Sequence, residues 1–89
     1  MKLSNVYKAQ KGLIKVNAEV ENNIIKEIKI TGDFFMLPEE AISVLEFRLI
    51  GRALEKKDLN DAVEEFYMTG VETPLLTKDD FVNAVIGVK

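Results

Sequence analysis

The sequence predicts an α+β fold in which a small antiparallel sheet is covered on one face by about three helices. Alternation of apolar and polar residues, which is typical of strands, is confined to the first third of the 89-residue chain. The remaining two thirds show the wider apolar spacing of amphipathic helices, interrupted by Gly and Pro. A chain of 89 residues is the size of one small domain, so we expect residues 1–89 to form a single domain.

Three segments of the first third are candidate strands. Residues 2–9, which carry Val6, form a possible N-terminal strand. Residues 13–20 alternate cleanly, and residues 24–31 alternate less regularly. The side of the second strand that we expect to be buried consists of Ile14, Val16, Ala18 and Val20.

The length of the turn between the second and third strands decides their register. A two-residue turn at positions 22–23 would place Val16 opposite Lys29. A three-residue loop at positions 21–23 would instead place Val16 opposite Ile28 and keep the apolar side chains together. Because a slip of one residue moves every side chain to the opposite face, burial favours the three-residue loop.

Three helices are predicted after the strands. Pro38 marks the entry to the first, because proline suits the first helical position, and its wide apolar surface suits burial against a sheet. Asp58 is the candidate N-cap of the second helix, which Gly70 ends. The third begins with a capping box from Thr77 to Asp80, with Asp in place of the usual Glu or Gln. The apolar positions are Ala41, Ile42, Val44, Leu45, Phe47 and Leu49 in the first helix, Leu59, Val63 and Phe66 in the second, and Phe81, Val82, Val85 and Ile86 in the third.

The composition argues against a stand-alone enzyme. The chain has no Cys and no His, which removes disulfides, thiol nucleophiles, and the commonest general base and metal ligand. Its glycines are isolated from one another, so there is no phosphate-binding loop. We therefore expect no catalytic residue and no metal site. Apolar runs fall short of the roughly 20 residues of a membrane span, and no signal peptide is evident, so the expected location is the cytoplasm.

The formal charge of −3 is unevenly distributed, since residues 1–31 carry +3 and residues 32–89 carry −6. Lys11, Lys15, Lys26 and Lys29 are candidates for a basic patch that contacts an anionic ligand, and the alternative is an ordinary solvated sheet face. No aromatic residue lies between positions 13 and 31 to stack on bases. Together with the acidic overall balance, this argues against a nucleic-acid partner.

A Gly-Asp-Phe-Phe sequence ends the third strand abruptly and allows two interpretations. In the structural one, Gly32 permits a sharp turn, Asp33 bonds nearby backbone N–H groups, and Phe34 and Phe35 anchor the crossover in the core. In the functional one, Asp33 or one of the two phenylalanines contributes to a partner surface.

The order of these features resembles the accessory, C-terminal domain of lipoate–protein ligases. That family shows a Gly-Leu-Ile strand start, an alternating hairpin, and Gly-Asp-Phe-Phe before a helix entry rich in Pro and Glu. Gly12 itself starts the second strand at a bend, or offers its backbone to a ligand. The residues that carry the resemblance are Gly12, Leu13, Ile14, Ile28, Ile30, Gly32, Asp33, Phe34, Phe35 and Glu39, with Leu49, Ile50 and Gly51 in the helical half.

The resemblance implies a non-catalytic accessory subunit of a two-component lipoate–protein ligase. In that family a large catalytic domain binds lipoate and ATP with Mg²⁺, forms lipoyl-adenylate, and transfers the lipoyl group to a lysine of an acceptor protein. The accessory domain packs against the catalytic domain and is needed for adenylation. The implied partners are a catalytic subunit, in a heterodimer, and indirectly the lipoyl-acceptor domains, and the cofactors would bind through the catalytic subunit. The alternative is an α+β interaction or regulatory domain unrelated to lipoate.

Overall fold

The computed structural model describes all 89 residues and contains three strands followed by three helices. This confirms the predicted α+β fold, including the possible N-terminal strand. No helix has the length and apolar character needed to cross a membrane. The elements are β1 (Lys2–Ala9), β2 (Gly12–Glu21), β3 (Ile24–Asp33), α1 (Ala41–Leu49), α2 (Lys56–Tyr67) and α3 (Lys78–Ile86).

The strands form an antiparallel sheet in the order β1-β2-β3, and the helices cover one of its faces. α1 lies against β3, and α3 lies against β1 and β2. α2 packs against α1 and α3. In β2 the burial alternates with each residue, as the amphipathic pattern predicts. The predicted buried side, Ile14, Val16, Ala18 and Val20, is confirmed.

The connection between β2 and β3 is a two-residue turn, so the predicted three-residue loop is wrong. Glu21 pairs directly with Ile24 across the turn. Asn22 and Asn23 have φ angles of 52° and 63°. Positive φ at both central residues is the geometry of the tight turn that suits the twist of a hairpin, and Asn tolerates it well.

A β-bulge reconciles this short turn with the apolar pattern. Lys26 has no partner on β2, and beyond it the register shifts by one residue. Val16 consequently lies opposite Ile30 instead of the predicted Ile28. The bulge lets Ile25 and Ile28 face the core although they are three positions apart. A strict two-residue period could not accommodate both, which is why the pattern alone favoured the longer loop.

α1 begins three residues later than the sequence predicts. Pro38 lies in a turn that precedes the helix, and its carbonyl oxygen accepts a 3.1 Å hydrogen bond from the N–H of Ala41. The predicted position of Pro38 at the first residue of the helix is therefore wrong. The structure places the first helical residue at Ala41.

Only one side of α1 is buried, which corrects the prediction of a wide buried surface. Leu45 and Leu49 are buried, whereas Val44 and Phe47 are exposed. The reason is that α1 runs beside the outer edge of β3. Glu46 shows this directly, because its Oε2 accepts a 2.7 Å hydrogen bond from a backbone N–H on that edge.

α2 begins at Lys56, two residues before the predicted N-cap. Asp58 lies in the first turn, and its Oδ2 accepts a 2.8 Å hydrogen bond from the N–H of Ala53. Asp58 thus ties the connecting segment to the helix, in place of capping its end. Gly70 follows the helix with a φ of 92°, as predicted. The predicted buried residues Leu59, Val63 and Phe66 are confirmed.

The capping box predicted for α3 is confirmed. The Thr77 hydroxyl accepts a 3.2 Å hydrogen bond from the N–H of Asp80, and Asp80 Oδ2 accepts a 2.8 Å bond from the N–H of Thr77. These two bonds satisfy two backbone donors that the start of a helix otherwise leaves free. The predicted residues Phe81, Val82 and Val85 are buried, and Ile86 is half-buried.

We expect Gly32→Ala to be strongly destabilising. Gly32 has a φ of 145°, and a Cβ at this position would overlap the carbonyl oxygen of Leu13. Backbone strain and overpacking together should lower the free energy of unfolding by about 4 kcal/mol. Gly70→Ala is the control, because its φ is also positive but no atom lies within 4 Å of the added carbon. The control should cost about 1–2 kcal/mol. The measurement is urea unfolding followed by circular dichroism. Equal losses of unfolding free energy in the two variants would contradict the overlap between a side chain at position 32 and the Leu13 carbonyl oxygen.

Candidate functional site

Most of the candidate site residues that the sequence predicts lie at one end of the sheet. β2 begins and β3 ends there, with Leu13 opposite Asp33. The turn between β1 and β2 and the loop that precedes α3 reach the same place and form an open groove. We call it the signature groove, and its lining includes Gly12, Leu13, Asp33, Phe34 and Phe35 together with Lys8, Lys11 and Leu75.

Gly12 and Gly32, the two glycines that carry the family resemblance, both lie close to other backbone atoms. A Cβ on Gly12 would lie 3.0 Å from the carbonyl oxygen of Asp33 and 3.5 Å from the Cβ of Phe34. Gly32 has no room for a side chain because of the backbone of Leu13. Because neither glycine has a side chain, the start of β2, the end of β3 and the segment that joins β3 to α1 can pack closely. Both positions therefore have a structural reason for glycine.

Phe34 and Phe35 have opposite environments. Phe34 is half-buried, and its ring packs edge-to-face on Phe81 with 5.6 Å between the ring centroids. Phe35 is 73% exposed, so the expectation that it anchors the core is wrong. Neighbouring residues of an extended segment point to opposite sides, and Met36 is buried again.

Asp33 forms no hydrogen bond through its carboxylate, although local backbone bonding was predicted for it. Its side chain is exposed at the end of the β2–β3 ladder. On the face of the sheet away from the helices, Leu13 has Asp33 on one side and Lys8 on the other. The floor of the groove thus carries an apolar residue between two opposite charges.

The four candidate lysines do not form one patch. Lys15 and Lys29 are diagonal neighbours on the open face of the sheet. Lys11 lies in the β1–β2 turn, whereas Lys26 lies in the bulge at the other end, roughly 25–30 Å away at the rise of an extended strand. Only Lys11 lines the signature groove, where Lys8, not selected from the sequence, joins it.

Leu75 is a further groove residue that the sequence did not reveal. It is 67% exposed, and its φ of 70° is unusual for a residue with a branched side chain. The loop between α2 and α3, which carries Leu75, is joined to the segment between β3 and α1. Two backbone hydrogen bonds between Leu37 and Glu72, of 2.8 and 3.0 Å, make this connection. Leu37 is 54% exposed as well. A leucine after a proline in a short linker gives no sequence signal of this exposure.

A second apolar surface lies on α1 and just after it. Val44, Phe47 and Ile50 recur at intervals of three residues and are all exposed. We call this surface the α1 stripe. Phe47 is 77% exposed, which makes it a close match to Phe35 in type and exposure.

Comparison with known proteins gives the family of the chain. Residues 1–85 match a family model described as Bacterial lipoate protein ligase C-terminus. The chain belongs to this family. Membership confirms the resemblance seen in the Gly-Leu-Ile and Gly-Asp-Phe-Phe sequences. Five of the residues that line the signature groove, Gly12, Leu13, Asp33, Phe34 and Phe35, belong to the sequence pattern of this lipoate protein ligase C-terminal domain.

Similar proteins agree with this assignment to the lipoate protein ligase family. Lipoate-protein ligase A subunit 2 of Thermoplasma acidophilum is 46% identical over 85 residues, which are 96% of this chain and 88% of that protein. A solved structure from the same organism describes an archaeal lipoylation system, a bi-partite lipoate protein ligase and its E2 lipoyl domain. One of its chains matches with a TM-score of 0.88 and 46% identity over 96% of this chain and 94% of that chain.

Tyr67 forms a hydrogen bond with the loop that carries Leu75, since its hydroxyl lies 2.6 Å from the Thr73 hydroxyl. Burial raises the pKa of Tyr67 above 10.0, opposed by the Thr73 hydrogen bond and reinforced by the negative charge of Asp80. Above pH 10 the unfolded chain therefore releases the Tyr67 proton first, so the free energy of unfolding falls as the pH rises through the folded-state pKa.

We expect Tyr67→Phe to remove most of this alkaline loss of stability from the lipoate ligase C-terminal domain. Urea unfolding at several pH values on both sides of the ordinary tyrosine pKa, about 10, measures it. Tyr7→Phe is the control for the loss of a tyrosine hydroxyl, because it leaves the contact between Tyr67 and Thr73 in place, so the alkaline loss due to Tyr67 should remain. The same slope in Tyr67→Phe and in the unmodified chain would contradict the assignment.

Proposed function

We propose that this chain is the accessory subunit of a two-part lipoate–protein ligase. The observation that carries the proposal is its 46% identity, over nearly the whole length, to a protein called subunit 2 of such a ligase. The fold similarity to a chain of a bi-partite lipoate protein ligase system, with a TM-score of 0.88, also supports it. In this proposal the chain forms a heterodimer with a catalytic subunit in the cytoplasm.

We assign the covalent chemistry to the catalytic subunit, which would bind lipoate, ATP and Mg²⁺. In the first half-reaction the lipoate carboxylate displaces pyrophosphate from ATP and forms lipoyl-adenylate. In the second, the amine of an acceptor lysine displaces AMP. The lipoyl-acceptor domain is then a substrate of the complex, and only indirectly a partner of this chain.

The accessory subunit is assigned to the adenylation step. A docked domain without catalytic groups can raise the rate of that step by restraining the reacting carboxylate and phosphates in a productive geometry. It can also keep water from the reactive acyl-adenylate once it has formed. Both effects require a stable surface that fits the catalytic subunit and do not require a nucleophile or a base from this chain.

The decisive experiment follows pyrophosphate release from the purified catalytic subunit, lipoate and ATP, with and without this chain. We expect the chain to raise the initial rate by about tenfold or more, because positioning effects of this kind are large. The chain alone should release none. Equal rates with and without the chain would contradict the proposal. Supplying preformed lipoyl-adenylate and an acceptor domain shows whether the effect is confined to adenylation.

The open face of the sheet provides a separate test of an electrostatic contribution. Lys15 and Lys29 are the two candidate lysines that lie close together, so they are the best placed to meet ATP phosphates. We expect Lys15→Ala combined with Lys29→Ala to raise the KM for ATP in the reconstituted ligase by a few fold. Lys26→Ala is the matched control in the bulge. An unchanged KM for ATP in the double variant would show that Lys15 and Lys29 do not contribute to ATP binding.

A further inference from the structure

Three features of the signature groove have no explanation within the isolated chain. Phe35 presents a large aromatic ring to solvent, and Asp33 has a carboxylate without a hydrogen-bond partner. Leu75 is exposed although its positive φ strains the backbone. The rest of the chain could fold without Phe35 and Leu75, because neither contributes to the buried core. These side chains are better explained by a surface that another molecule covers.

The size of the exposed apolar area fits the centre of a protein interface. Phe35, Leu37 and Leu75 together expose on the order of 300 Å². A patch of about this size is often functional on a small protein. A standard interface buries roughly 800 Å² on each partner, so polar surface around the patch would complete it. The joined backbones of residues 37 and 72 hold the two segments that carry the patch in a fixed relation.

The charge around the groove indicates the chemistry of the partner. Lys8 and Lys11 line the groove, with Asp33 as its one acidic side chain. The whole chain has a formal charge of −3, and residues 32–89 carry −6. The groove therefore combines exposed apolar surface with local positive charge on a protein that is otherwise acidic. A segment with a large apolar side chain beside carboxylates complements both properties.

We propose that the signature groove is the surface that docks the catalytic subunit, and that it receives a segment with an apolar side chain flanked by Asp or Glu. The proposal rests on the proposed function, which supplies the catalytic subunit as the partner. It goes further by assigning the contact to Phe35 and Leu75, with Lys8 and Lys11 as its charged border. The α1 stripe is then outside the centre of this interface.

Matched single substitutions separate the two apolar surfaces. Phe35→Ala should raise the Kd for the purified catalytic subunit by about tenfold or more in calorimetric titration, as expected for an aromatic residue at the centre of an interface. Phe47→Ala removes an equally exposed phenylalanine from the α1 stripe and should change the Kd by less than about threefold. Both residues are on the surface, so both variants should fold, which circular dichroism and urea unfolding confirm.

Leu75→Asn gives a readout that a purely structural role would not produce. Asn tolerates positive φ better than Leu, so the isolated variant should be at least as stable as the unmodified chain. Its affinity for the catalytic subunit should nevertheless fall. Lys11→Glu should slow association and weaken its dependence on salt concentration, because it removes positive charge from the border of the groove.

The outcomes distinguish the docking surface from the function. If the unmodified chain neither binds the catalytic subunit nor raises pyrophosphate release, both proposals fail. If it does both and Phe35→Ala and Leu75→Asn do the same, only the groove assignment is overturned. Loss of binding in Phe47→Ala with retention in Phe35→Ala would assign docking to the α1 stripe. Sedimentation showing a dimer of this chain that Phe35→Ala dissociates would make a second copy the occupant and overturn the proposal.

Discussion

The close contact between Gly32 and the backbone of Leu13 is the constraint on which the rest of the structure depends. It allows β2 and β3 to remain paired up to Asp33, where any side chain at position 32 would force them apart. The chain leaves the sheet at that point, with alternate residues turned in and out. Phe34 consequently reaches Phe81 in the core and Phe35 remains in solvent. This backbone contact therefore helps to place both the Phe34 ring against α3 and the exposed Phe35 ring on the surface that we assign to the catalytic subunit.

Part of the outer edge of β3 is covered by other residues of the chain. The carbonyl oxygen of Arg52 accepts a 2.9 Å hydrogen bond from the N–H of Ile25, and the N–H of Gly51 returns a 2.8 Å bond to the Ile25 carbonyl. Glu46 satisfies a further N–H on that edge. These bonds leave fewer free groups for non-specific strand pairing, which is a hazard of exposed edges. They also connect α1 and the segment after it to β3.

The sequence was sufficient for the fold class, the N-terminal strand and the capping box of α3, because each depends on local pattern. The hairpin register required tertiary information, since the bulge at Lys26 changes a period that pattern analysis treats as constant. The sequence left open whether Phe35 anchors the core or contributes to a partner surface, and it predicted a buried surface for Phe47, because exposed and buried apolar residues have the same sequence pattern. The groove could be anticipated only through its family residues, and Leu75 joined it through a loop without any recognisable motif.

Hydrogen–deuterium exchange of this chain, alone and with an excess of the catalytic subunit, tests the central claim most directly. Docking at the signature groove should slow amide exchange in residues 33–37 and 72–76, because the partner excludes water from both segments. Exchange in α1 and at the turn between β2 and β3 should change little. Protection centred on α1, or unchanged exchange in both groove segments of a complex that still accelerates pyrophosphate release, would contradict the assignment of the groove as the docking surface.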